Sequence, residues 1–94
     1  MTTIDQIALK IIKEQELIIG PLAWVEASKV SGIKIIDQKP GSISINNGDS
    51  KTVVDRLVSQ YERLFGRASR EVSREAAAPL LASLSPNEIP LSLK

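Results

Sequence analysis

Five arginines, Arg56, Arg63, Arg67, Arg70 and Arg74, are all the arginine this 94-residue chain holds, and their spacings of seven, four, three and four put them on one stripe of a helix. Guanidinium groups make bidentate contacts with carboxylate or phosphate, so the chemistry open to such a stripe is anion recognition. Same-face arginines three and four apart repel by about a few tenths of a kcal/mol per pair in an isolated helix. Glu71 and Glu75 on one flank, with Asp55 and Glu62 on the other, relieve this only in part. The stripe is therefore read as a docking face for an acidic protein partner. The alternatives are the phosphates of a nucleic acid and a merely solvated helix face. No aromatic residues interleave with the arginines and few Asn or Gln accompany them, so a nucleic-acid contact would be non-specific.

Catalytic chemistry has little to work with. The chain contains neither Cys nor His, which removes the commonest general base, the thiolate nucleophile and the usual zinc ligands together. Asn46-Asn47-Gly48-Asp49-Ser50 followed by Lys51-Thr52 has the character of a phosphate-binding turn at a helix start, but the glycine spacing of a P-loop is missing. Asp37, Asp49 and Asp55 lack the spacing of a metal loop. These features predict a non-enzymatic protein with no cofactor and no metal. A net charge of +1 exerts no global pull on nucleic acid or an anionic membrane, so any electrostatic role is local. The N-terminal residues lack the pattern of a secretory signal, and the apolar stretch from Ile7 to Val25 is broken by Lys10, Lys13, Glu14 and Glu16. A cytoplasmic address, off the membrane, is the expectation.

The elements that must carry these residues follow from periodicity. Thr3-Ile4-Asp5-Gln6 fits a capping box, and Ile4, Ile7, Ala8, Ile11, Ile18 and Ile19 repeat at helical spacing, with Gln15 set among them. Gly20-Pro21 should kink or restart this helix, giving a second short one over 22–30 that Ser31-Gly32 ends. Residues 33–36 and 42–45 read as two β-branched strands joined through Pro40-Gly41, which suits the centre of a type II turn. Ile33 and Ile35 are expected across from Ile43 and Ile45. Leu22–Ile33 resembles the first helix and turn of a helix-turn-helix, though a strand follows where its recognition helix should begin.

A long amphipathic helix is predicted from residue 50 or 51 to 78, N-capped by Asp49 or Ser50 and stopped or bent by Pro79. Continuous, it would be about 40 Å long. Val54, Val58, Tyr61, Phe65, Ala68 and Val72 alternate spacings of four and three, as a helix-pairing seam does. With Trp24, they are the expected homo-oligomer interface. Only three residues are aromatic, Trp24, Tyr61 and Phe65, against twelve isoleucines, and a small aliphatic core of this kind is often completed by a second copy. The resulting expectation is an α+β fold: an α-β-β-α domain over residues 1–84, with a kinked N-terminal helix pair, a β-hairpin and a long C-terminal helix. An extended or disordered tail over 85–94 completes the chain.

Overall fold

Apolar side chains three and four residues apart make one face of α1 (Thr3–Ile19), and this face forms the floor of the molecule, burying Ile7, Ala8, Ile11, Ile12 and Gln15. The computed structural model describes residues 3–37, 41–45 and 49–94. Gly20 adopts φ 71°, and its N–H donates to the Glu16 carbonyl at 2.8 Å, closing the helix. Pro21 then leads into α2 (Leu22–Ser28), the restart that a proline at a helix entry favours. Trp24 lies on the buried side of α2, and its indole N–H donates to Glu16 Oε2 at 2.8 Å.

β1 (Ile33–Asp37) and β2 (Ser42–Ile45) pair antiparallel, with Ile33 opposite Ile45 and Ile35 opposite Ile43 as the alternation implies. The register slips between Ile35 and Asp37. Pro40 of the anticipated turn, and Asn46 to Gly48 of the following loop, lie outside the described residues. The hairpin rests against α1 and α2, with Ile33 and Ile43 turned into the core.

α3 (Ser50–Phe65) starts at an Asp49 cap whose Oδ1 accepts the backbone N–H groups of Lys51 at 3.1 Å and Thr52 at 3.4 Å. Here the expected single long helix requires correction. It divides at Gly66 into α3 and α4 (Arg67–Leu81). Gly66 has φ 89° and ψ −178°, a conformation essentially closed to residues with a Cβ. A rod of about 40 Å would also overrun a molecule whose longest dimension is 32 Å. Broken in two, both halves pack on α1 instead of projecting from it. α4 runs antiparallel to α1: Gln15 meets Ser69 and Ser73, while Lys10 lies near Pro79. Pro79 is accommodated inside α4, which ends at Leu81.

Residues 85–94 do not run extended. They form two 3-10 turns, Pro86–Glu88 and Leu91–Leu93, and the second lies against α3 and α4 with Leu93 buried. Asp55 Oδ1 accepts from Ser92 N at 3.0 Å and Ser92 Oγ at 2.6 Å, and Lys51 Nζ donates to the Asn87 carbonyl at 2.7 Å. Among the described residues the architecture is thus four helices around one core, with a two-stranded antiparallel hairpin on its side: an α+β domain. Among the described residues, no helix is long and apolar enough to cross a membrane.

Candidate anion-binding cleft

The break at Gly66 distributes the arginines over two helices, Arg56 and Arg63 on α3 and Arg67, Arg70 and Arg74 on α4. Their surroundings then differ. Arg74 Nη1 lies 3.4 Å from Glu71, and Arg70 Nη1 lies 4.0 Å from Glu62, so these two have carboxylates of their own. Among the described residues, neither Arg56, Arg63 nor Arg67 forms an ion pair. Arg56 Nη1 donates to the Ser31 carbonyl at 3.5 Å, and Arg63 Nη2 donates to Gln60 Oε1 at 2.6 Å.

Arg56 and Arg63 stand two helical turns apart on one face of α3, beside an open cleft of about 520 Å³ between that helix and the end of α2. Lys29, at the end of α2, also lines it. Hydroxyls of Ser31, Thr52 and Ser59, with the Gln60 amide, supply uncharged polar groups along the walls. The one carboxylate in the lining is Asp55, which already accepts two hydrogen bonds from Ser92.

Behind the cleft, a chain of hydrogen bonds fixes the cations. Glu26 is only 6% exposed, and its Oε2 accepts from Lys29 Nζ at 3.0 Å while its Oε1 accepts from Gln60 Nε2 at 2.8 Å. Gln60 in turn holds Arg63 through its other amide atom. The hydrogen bond from Lys29, followed by that from Gln60, holds the Glu26 carboxyl below its ordinary range. Glu26 is therefore an anion whose oxygens are both committed, and it orients Lys29 and, through Gln60, Arg63. Three cations against Asp55 and Glu26 leave the cleft net positive; the Arg63 charge acts on Glu26 without contact, and among the described residues neither Arg56 nor Arg63 forms an ion pair.

Sequence reasoning named Arg56 and Arg63 as docking residues but missed Lys29, Glu26 and Gln60. Lys29 and Glu26 sit at the end of α2, twenty-five residues or more from Arg56, and nothing in their local spacing announces that α2 is brought beside α3. The one available signal was the i,i+3 pair Glu26–Lys29 itself, which is common on helices.

The residues expected at an oligomer seam are placed unevenly. Val54, Val58, Tyr61 and Trp24 are buried in the core of the single chain. Tyr61 Oη donates to the Ala23 carbonyl at 2.6 Å, tying α3 to α2, and burial pushes its pKa well above the ordinary phenol range, with Glu26 adding to the rise. Phe65 is half-buried at the end of α3, Val72 is half-buried on α4, and Ala68 is exposed. Gln15 is 1% exposed in the α1–α4 contact. Its Nε2 donates to the Ser69 carbonyl at 2.9 Å and Ser73 Oγ at 3.3 Å, while its Oε1 accepts nothing among the described residues. Comparison with known proteins returns no matching family model, no matching curated protein and no matching solved structure.

Proposed function

We propose that this protein is a non-enzymatic, cytoplasmic interaction module that docks an acidic protein segment in the cleft formed by Lys29, Arg56 and Arg63. The observation that carries this reading is the contrast among the arginines. Arg70 and Arg74 are paired within the chain, whereas among the described residues Arg56 and Arg63 flank a concave surface without an ion-pair partner. Hydroxyl donors from Ser31 and Ser59 beside the cations suit a row of carboxylates that needs several hydrogen bonds at once. A non-catalytic role fits the same surroundings. The strongly shifted Tyr61 is committed to a backbone carbonyl inside the core, away from the cleft lining.

Fluorescence anisotropy with a labelled Asp/Glu-rich peptide tests the proposal, with a neutral peptide and a labelled DNA duplex as comparators. The acidic peptide should bind, the Arg56→Glu/Arg63→Glu double variant should lose that binding, and Arg70→Glu/Arg74→Glu should retain most of it. Duplex binding with a steep dependence on salt, in the absence of peptide binding, would replace this reading with phosphate contact.

A further inference from the structure

Within the Lys29–Arg56–Arg63 cleft, two charges are open to a ligand, and α3 sets their spacing. Lys29 Nζ is answered by Glu26 at 3.0 Å, whereas among the described residues Arg56 and Arg63 form no ion pair. One nitrogen of each arginine is steadied by a hydrogen bond, Arg56 Nη1 to the Ser31 carbonyl at 3.5 Å and Arg63 Nη2 to Gln60 Oε1 at 2.6 Å. The other donors of each guanidinium fork can then turn to a carboxylate. Ser59 lies three residues after Arg56 and four before Arg63, so α3 offers cation, hydroxyl and cation along one stripe of the cleft wall. Seven residues of α-helix place the two cationic positions about 10.5 Å apart.

The shape of the cleft limits which backbone can present two carboxylates at that spacing. Its lining on α3 runs from Thr52 to Arg63, about 16 Å of helix. A volume of about 520 Å³ over that length leaves a channel roughly 6 Å across. A helical ligand, roughly 10–12 Å wide with its side chains, is too broad for it. Extended chains lie only about 4.8 Å from their neighbours in a sheet, and one of them fits. A β-strand returns side chains to one face at about 6.6 and 13 Å, missing the arginine spacing by about 3–4 Å on either side. Polyproline II repeats every three residues at about 3.1 Å each, so residues i and i+3 share one side about 9.3 Å apart, within about 1 Å of that spacing. We propose that the cleft reads this register: an acidic segment in the polyproline II conformation, with Asp or Glu at i and i+3, one carboxylate gripped by Arg56 and the other by Arg63. The proposal rests on the docking reading above and adds the ligand's conformation and spacing. Between the arginines, Ser59 and Gln60 line the cleft without charge, so further carboxylates there gain no ion pair. The Ser59 hydroxyl instead serves the intervening backbone, whose carbonyls polyproline II leaves without internal hydrogen bonds.

Fluorescence anisotropy at low salt, with labelled and end-capped peptides of one length, tests the register. Each peptide carries two glutamates in a neutral background, separated by none, one, two, three or six residues. The two-residue gap should bind most tightly, about tenfold better than the adjacent pair, a factor typical of one charge-assisted hydrogen bond gained. Proline at both intervening positions, which favours polyproline II, should preserve or tighten that binding. Arg56→Gln/Ser59→Arg changes only exposed positions, so unchanged circular dichroism is expected of it. It brings the two cations one turn apart, about 6 Å, and its optimum should move to the one-residue gap. Equal affinity across the series, an optimum at the six-residue gap, or an optimum unmoved by Arg56→Gln/Ser59→Arg would overturn the register and leave the acidic docking reading in place. So would binding of the Asp/Glu-rich peptide alone. Binding of neither that peptide nor any member of the series would remove the docking reading itself.

Discussion

Gln15 shows how one side chain sets an alignment that apolar packing leaves loose. Isoleucine and alanine side chains on the buried faces of α1 and α4 would tolerate sliding, but the Gln15 amide reaches Ser69 and Ser73 in a single register. The amide is only half satisfied, because Oε1 is buried without a donor among the described residues. Ser69 O keeps a second hydrogen bond from Ser73 Oγ at 3.0 Å when the glutamine is removed. Gln15→Met, which conserves volume, should therefore change stability by less than about 1.5 kcal/mol. Gln15→Ala opens a cavity and should cost about 2 kcal/mol or more. Urea denaturation compares them, and equal losses would assign the stabilisation to the hydrogen bonds instead of the packing. Glu26 makes a second residue-scale prediction, for pH. Its folded pKa is lowered, so its contribution is full above the ordinary carboxylate range and is lost as pH falls through the lower folded value. Asp49, held down first by the Thr52 hydroxyl, and Glu88, held down first by the Ser85 backbone N–H, act in the same direction. Stability measured by denaturant titration should fall on acidification in that window. Glu26→Gln should make the fall shallower, and an unchanged slope would remove Glu26 from the account.

The elements divide into those that local pattern specifies and those that a single glycine decides. α1, the restart at Pro21, the hairpin register and the Asp49 cap were all legible, because each rests on neighbours within a few residues: isoleucine spacing, a proline without a donor, β-branched alternation, a carboxylate before a helix. The division of the C-terminal helix was not. Arginine and apolar spacing run through Gly66 without a phase error, and glycine inside a helix is tolerated at roughly 1 kcal/mol, so periodicity alone favours continuity. Tertiary packing on α1 decides otherwise. The same break reassigned the candidate site, since it separated Arg56 and Arg63 from the arginines of α4 and made room for Lys29 to count. The tail was also illegible, its anchoring resting on Asp55 and Lys51 more than thirty residues away. Gly66→Ala tests the break directly. A Cβ there meets nothing within 4 Å, so the cost is that of the backbone conformation, about 1–3 kcal/mol. A neutral substitution, or a gain in helicity with stability preserved, would show that α3 and α4 can merge without loss.

At the scale of the whole molecule, a net charge of +1 exerts no long-range pull on an acidic segment, so docking in the cleft between α2 and α3 would rest on the local field of Lys29, Arg56 and Arg63. Such a field is screened within about a Debye length, roughly 10 Å at 0.1 M salt. Raising the salt should therefore weaken binding of a short acidic peptide and of a long polyglutamate alike, and Arg56→Glu/Arg63→Glu should abolish both. Anisotropy titrations of the two ligands into the native chain and the double variant, with calorimetric stoichiometry, check this. Binding that survives the double variant would move the docking surface off the cleft, to Arg67, Arg70 and Arg74 on α4 or beyond the arginines altogether.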